Sequence, residues 1–162
     1  MNRFIATFFY SGLSPKAPGT IGSMAALPFG WLIHGLTGFP GLLIATILVF
    51  FLGWWATANV TRGQQDHDPG EIVIDEVVGQ WIALFPLSYG LWQSGAAPWL
   101  FPYPGWIAAF VFFRLFDIWK PWPVSWADHK NTALGVMLDD VLAGIMAAIV
   151  VALLAGIAHG IM

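Results

Sequence analysis

The stretch TALGVMLDDVLAGIMAAIVVALLAGI, Thr132 to Ile157, decides how the rest of the chain is read. It is long enough to cross a bilayer, for which a helix needs about 20 apolar residues. Two adjacent carboxylates, Asp139 and Asp140, nevertheless sit inside its first end. One aspartate at the centre of a membrane helix costs about 2.5–3.5 kcal/mol on insertion scales, and a neighbouring pair also repels itself. Such a pair needs a shared proton, a basic partner or a metal ion. Gly135 and Gly144 lie one turn before Asp139 and one turn after Asp140. Small residues there let a helix or ligand approach the backbone closely. The stretch predicts a membrane helix with a charged site at one end. The competing reading, a soluble core helix with two hydrogen-bonded aspartates, runs against the composition.

That composition is 58% hydrophobic and 9% charged over 162 residues, against about 25% charged in soluble domains. The length suits one domain spanning residues 1–162. Ten Trp and thirteen Phe suit membrane-interface belts as well as packing. With no cysteine, disulfides, thiolate metal sites and cysteine nucleophiles are excluded. A net charge of −3 and scattered basic residues give no reason to expect a nucleic-acid partner. Arg3 precedes FIATFFY, but a Gly- and Pro-rich segment follows with no small-residue cleavage site, so no cleaved signal is expected.

Outward from the last stretch, the chain divides into apolar segments. Asn2–Tyr10 is short and aromatic and suits the membrane surface. Ile21–Leu36 and Phe39–Val60 follow, separated at Gly38. Asp68-Pro69-Gly70-Glu71 reads as a helix start, with Asp68 capping and Pro69 in the first turn, and the helix is expected to run to Leu87. Ser88–Pro104 reads as a loop, Gly105–Ile118 as a helix stopped by Lys120-Pro121-Trp122-Pro123, and Ser125–Asn131 as a polar link. If the five apolar segments each cross once, all six Lys and Arg fall on or beside one side, and the opposite loops carry no charge. The positive-inside rule makes that side the cytoplasm. The expected fold is an all-α, polytopic membrane bundle of about five transmembrane helices with its charged loops on the cytoplasmic face.

All nine carboxylates lie between Asp66 and Asp140 and map to that face. Glu71, Asp75 and Glu76 form one cluster: Glu71 and Asp75 share a helical face, and Glu76 points about 100° away. Carboxylates one turn apart suit a hard divalent cation such as Mg²⁺, although acids at a helix start also complement its dipole. Asp75 and Glu76, together with Asp139 and Asp140, form a prospective cage between two helices. Arg114, Asp117 and Lys120 recur every three residues and line one side of a helix end. Arginine suits bidentate phosphate contact and lysine supplies a point charge; a snorkelling interface anchor is the plainer reading of Lys120. Lys16-Ala17-Pro18-Gly19-Thr20-Ile21-Gly22-Ser23 leads into a helix start whose N–H groups can meet an anion, without being a Walker A loop. His67 and His129 show no ligand spacing and read as solvated.

Four blocks, PKAPGTIGS (Pro15–Ser23), EIVIDEVVGQWIAL (Glu71–Leu84), FRLFDIWKPWP (Phe113–Pro123) and GVMLDDVLAG (Gly135–Gly144), together resemble the phosphatidylglycerophosphatase A family. They occur in that family's order, and Thr132-Ala133-Leu134 stands where the family often carries extra glycines. The resemblance implies a bacterial inner-membrane enzyme, multi-pass with its site facing the cytoplasm. Such an enzyme uses Mg²⁺ to remove the terminal phosphate of a phospholipid substrate, phosphatidylglycerophosphate, giving phosphatidylglycerol. By that resemblance Glu71, Asp75, Glu76, Asp139 and Asp140 are the expected metal ligands. Asp75, Asp117 and Asp139 are the expected catalytic acids, and Lys16, Thr20, Ser23, Arg114 and Lys120 the expected substrate contacts. The rival class is a membrane cation or proton carrier using the buried acids. A carrier requires acids along a path through the membrane, some near its second face.

Overall fold

The computed structural model describes residues 1–64 and 69–160, with side chains to Ala158, and the regular elements among them are all helical. They are α1 (Asn2–Ala6), a 3₁₀ turn at Ser11–Leu13, α2 (Pro18–Val60), α3 (Ile74–Ala83), α4 (Phe85–Gln93), α5 (Gly105–Trp119), α6 (Val124–Asp128) and α7 (Ala133–Gly160).

The expected division of the first long apolar run at Gly38 is present. The 43 residues of α2 would rise about 64 Å as one rod, twice a bilayer core. Instead Gly38 breaks the helix at φ 67°, ψ −166°, a conformation that carries little penalty only for glycine. The two halves fold back to the same level. Gly22 of the first half lies against Val73, and Gly53 of the second lies against Ile74. At the other end His34 shares a 2.7 Å hydrogen bond with Ser88, and Gly38 lies against Trp92. α2 is therefore a hairpin folded around α3 and α4, tied midway by the Trp81 indole donating to the Ala26 carbonyl at 2.8 Å.

α3 is the inner element, with eight of its ten residues buried. α7 runs alongside it in the same direction, Met137 near the Ile74 level and Gly144 directly on Gly79. A Cβ on Gly144 would stand 2.4 Å from the Gly79 carbonyl oxygen. α5 runs the opposite way, with Phe113 on Gly79 and Gly105 on Leu87. These contacts gather the start of α2, the starts of α3 and α7 and the end of α5 at one end of the bundle. Outer faces of α2 and α7 expose Leu48, Phe51, Ile149 and Leu153. Two helices, Pro18–Val60 and Ala133–Ala158, are long and apolar enough to cross a membrane.

The helix expected from Asp68 to Leu87 is corrected at both ends. Asp68 lies outside the described residues. Gly70 and Glu71 form a turn, and the helix begins only at Ile74 because the Val73 N–H donates to the Ala6 carbonyl (2.9 Å) of the N-terminal segment. Pro86, which lacks an N–H, separates α3 from α4, and α4 extends six residues into the expected loop. The N-terminal segment packs inward at Ala6 and Phe8 while exposing Phe9 and Tyr10. The polar link after α5 contains α6. As expected, Thr132 opens the last helix, its hydroxyl accepting the Gly135 N–H at 3.0 Å.

Candidate active site

The acids converge because the first turn of α3 lies against α7 about two turns inside its start, and Gly79 and Gly144, about a turn further along, allow backbone-to-backbone approach. Asp75, Glu76 and Asp140 each place a carboxylate oxygen so that all three lie within 4.8 Å of one another. Asp75 and Asp140 are buried. Asp75 Oδ1 also accepts the Glu76 N–H (3.0 Å), satisfying a donor that the first helical turn leaves open. Asp117, at the end of α5, adjoins Asp140.

Arg114 faces this triad from one turn below the end of α5. It is ion-paired with Asp117, stands 3.9 Å from Glu76 Oε1, and donates a 3.5 Å bond to the Ser23 hydroxyl. Ser23 is fully buried and gives its own proton to the Gly19 carbonyl at 2.7 Å. Ser23, an expected substrate contact, is thereby bonded to Arg114 and to the first turn of α2. Gly19, in the first turn of α2, lies so close that a Cβ would stand 2.2 Å from Glu76 Oε1 and 3.1 Å from Arg114 Nη1. Thr20 is half-buried beside it and Lys16 is exposed on the approach.

The remaining expected site residues are placed differently. Glu71 sits on the turn before α3, where Arg3 holds it at 2.7 Å on the surface, so its expected helical register with Asp75 does not exist. Asp139 is not among the acids grouped within 4.8 Å of one another. Its Oδ2 accepts a 2.9 Å bond from Lys120, which is also paired with Asp128 of α6. Burial works against the Lys120 ammonium, but Asp128 and Asp139 outweigh it and raise its pKa above the ordinary lysine value. The expected four-carboxylate cage is thus a triad, with Asp139 beside it in a separate ion pair. His129 is exposed and bonds the Ser125 carbonyl; His67 lies outside the described residues.

Asp128 had no role in the sequence reading, because a lone acid in a polar link looks solvated. Gln80 is the other omission. It is fully buried one turn after Glu76, and neither end of its amide has a partner among the described residues. Its position in the apolar run VVGQWIAL was the available signal.

Oxygen donors packed against a guanidinium suit a centre that holds a phosphoryl group and a hard cation together. Fold and site thus define an all-helical, largely apolar protein with an acidic, arginine-flanked centre at one end. The phosphatidylglycerophosphatase A family model matches residues 4–155. A phosphatidylglycerophosphatase A of Escherichia coli strain K12 is 38% identical over 150 residues, covering 90% of this chain and 78% of the relative. Its Haemophilus influenzae counterpart is 42% identical over 150 residues, covering 92% and 85%. A Bacteroides thetaiotaomicron protein provisionally named a phosphatidylinositol-3-phosphatase is 39% identical over 152 residues, covering 91% and 89%. No solved structure matches. The chain belongs to the phosphatidylglycerophosphatase A family and is a phosphatase.

Proposed function

We propose that this phosphatase is embedded in the bacterial inner membrane and hydrolyses the terminal phosphomonoester of phosphatidylglycerophosphate. One water is consumed, and phosphate and phosphatidylglycerol are released. The observation that carries the reading is the placement of Asp75, Glu76 and Asp140 within 4.8 Å of one another, beside Arg114 and at the charged end of an apolar bundle. A phospholipid keeps its acyl chains in the bilayer and its phosphate at the surface, and this bundle has the matching division.

On this reading the two halves of α2, α3 with α4, α5 and α7 each cross once, and the positive-inside rule favours a cytoplasmic face for the end that carries the basic residues and the acids. The described acids all lie at that end, which favours an interfacial enzyme over a carrier that needs acids along its path.

The donor set fits Mg²⁺. All three ligands are oxygens, and the buried Oε2 of Glu76 and Oδ1 of Asp140 have no partner among the described residues. Asp75, Glu76 and Asp140 would hold the ion, which when bound supplies Lewis-acid polarisation of the phosphoryl group. Arg114 binds the equatorial phosphate oxygens and offsets their charge. Asp117 and Ser23 fix the guanidinium from either side, and the first turn of α2 around Gly19 and Thr20 offers unsatisfied N–H groups to the same anion. Lys16, on the approach, attracts the anionic headgroup.

The test is phosphate release by purified protein in lipid nanodiscs, with Mg²⁺ and with EDTA. The substrates are phosphatidylglycerophosphate and, because of the Bacteroides relative, phosphatidylinositol 3-phosphate. Chelator-sensitive release from the first is expected, at a kcat/KM at least about tenfold above the second, a difference of roughly 1.4 kcal/mol. Release that ignores EDTA would remove the metal, and preference for the inositol lipid would replace the substrate.

A further inference from the structure

The Asp139-Asp140 pair invites the assumption that both acids face the same ligand, yet their surroundings differ. Asp140 turns to α3. Asp139 turns to α5, where Oδ2 accepts from Lys120 at 2.9 Å while Oδ1 accepts the Asp140 N–H at 3.0 Å. Lys120 caps α5 with φ 47°, ψ 53°, the left-handed conformation for which helix ends normally use glycine. A lysine there carries backbone strain that a glycine would not, so the side chain must return something a glycine cannot. What it reaches is one carboxylate from each of two further elements, Asp128 of α6 and Asp139 of α7. α6 in turn packs on α7 at Gly135, where a Cβ would stand 3.0 Å from the Ala127 carbonyl. The ammonium thus joins α5, α6 and α7 at the level of the triad. Its charge is already shared between two acids, which leaves little for a phosphate.

We propose that Asp128, Lys120 and Asp139 form a positioning relay that fixes the rotation of α7 and so aims the Asp140 carboxylate at Asp75 and Glu76. Asp139 and Lys120 are positioning residues, neither ligand nor substrate contact. The inference rests on the triad being a divalent-cation site, and it assigns a function to Asp128.

The test is binding of Mn²⁺ to the purified full-length protein without substrate, read by electron paramagnetic resonance, alongside kinetics. Asp140→Asn abolishes Mn²⁺ binding. Asp139→Asn and Lys120→Met keep the stoichiometry and weaken affinity about tenfold, and Asp128→Asn weakens it less. In kinetics Lys120→Met lowers kcat about tenfold or more while KM for the lipid stays within about twofold. The double variant Lys120→Met/Asp139→Asn is no worse than the poorer single variant, because the two act as a unit. Loss of Mn²⁺ in Asp139→Asn equal to that in Asp140→Asn would make Asp139 a ligand and overturn the relay. So would a raised KM with unchanged kcat in Lys120→Met, or multiplying losses in the double variant. If Lys120→Met does not fold, Asp128→Asn with wild-type Mn²⁺ affinity and kcat overturns it as well. Mn²⁺ binding with no phosphate release from either lipid would instead sink the proposed activity and leave the relay standing.

Discussion

At the scale of single residues, the site depends on which atoms the acids are allowed to turn toward. Arg114 meets Glu76, Asp117 and Ser23 through Nη1 alone, and its buried Nε has no hydrogen-bond partner among the described residues, so the planar fork keeps donors for a ligand, an arrangement that an ammonium cannot reproduce. Arg114→Lys keeps the charge and loses the fork, so kcat/KM should fall about 10–100-fold, or roughly 1.4–2.7 kcal/mol. Phosphate release across substrate concentrations measures this. Gly19 makes a sharper case because its Cα borders the acids directly. Gly19→Ala places a methyl 2.2 Å from Glu76 Oε1, and the flexible glutamate must yield. Melting temperature should change little while Mn²⁺ affinity and turnover drop together; unchanged affinity would show that Glu76 is not a ligand. Lys120 supplies a pH prediction. Its folded pKa is raised, so its ion pairs are intact below the ordinary lysine value of about 10.4 and lost only as pH climbs past the raised one. A falling rate between pH 7 and 9 would therefore arise elsewhere, and Lys120→Arg should leave the shape of that profile unchanged.

At the scale of elements, the meeting of α3 and α7 controls both stability and chemistry. A Cβ on Gly144 would stand 2.4 Å from a backbone carbonyl that cannot rotate away, whereas one on Gly156 of the same helix would meet nothing within 4 Å among the described residues. Gly144→Ala should cost about 1–3 kcal/mol as an overpacked contact and lower turnover by pushing Asp140 off α3. Gly156→Ala should be neutral or slightly stabilising, since alanine is the better helix former by about 1 kcal/mol. Denaturation in detergent distinguishes the two. Gly144 was legible in the sequence, with Gly135, as a small residue flanking the Asp-Asp pair, and so were the break at Gly38 and the capping Thr132. The start of α3 was not. Asp68-Pro69-Gly70-Glu71 has the local grammar of a cap, but the Val73 N–H is taken by Ala6, and no local pattern announces a bond across that separation. The same limit explains Asp139. Helical periodicity sets it apart from Asp140, but only the left-handed turn at Lys120 shows which neighbour it meets.

At the scale of the molecule, all described charges gather at one end while the opposite end holds Gly38, Trp92 and the loop before α5. Such division orients a bundle in a bilayer through its basic residues rather than its net charge. The absence of any cysteine from the sequence makes the orientation directly measurable, because one introduced thiol is the whole signal. Lys16→Cys and Lys130→Cys lie exposed at the acid end and Ala97→Cys lies exposed in the loop at the other. A membrane-impermeant maleimide added to intact spheroplasts should label only Ala97→Cys; added to inverted inner-membrane vesicles it should label only the other two. Five crossings demand this pattern, since an even number of passes between Lys16 and Lys130 returns the chain to its starting side. If the first half of α2 stayed on the surface, Lys16→Cys would react from the spheroplast exterior while Lys130→Cys remained protected. That outcome would separate the first turn of α2 from Arg114 and Glu76 by the thickness of the bilayer, and so would overturn five crossings and the placement of Gly19 beside those two side chains together.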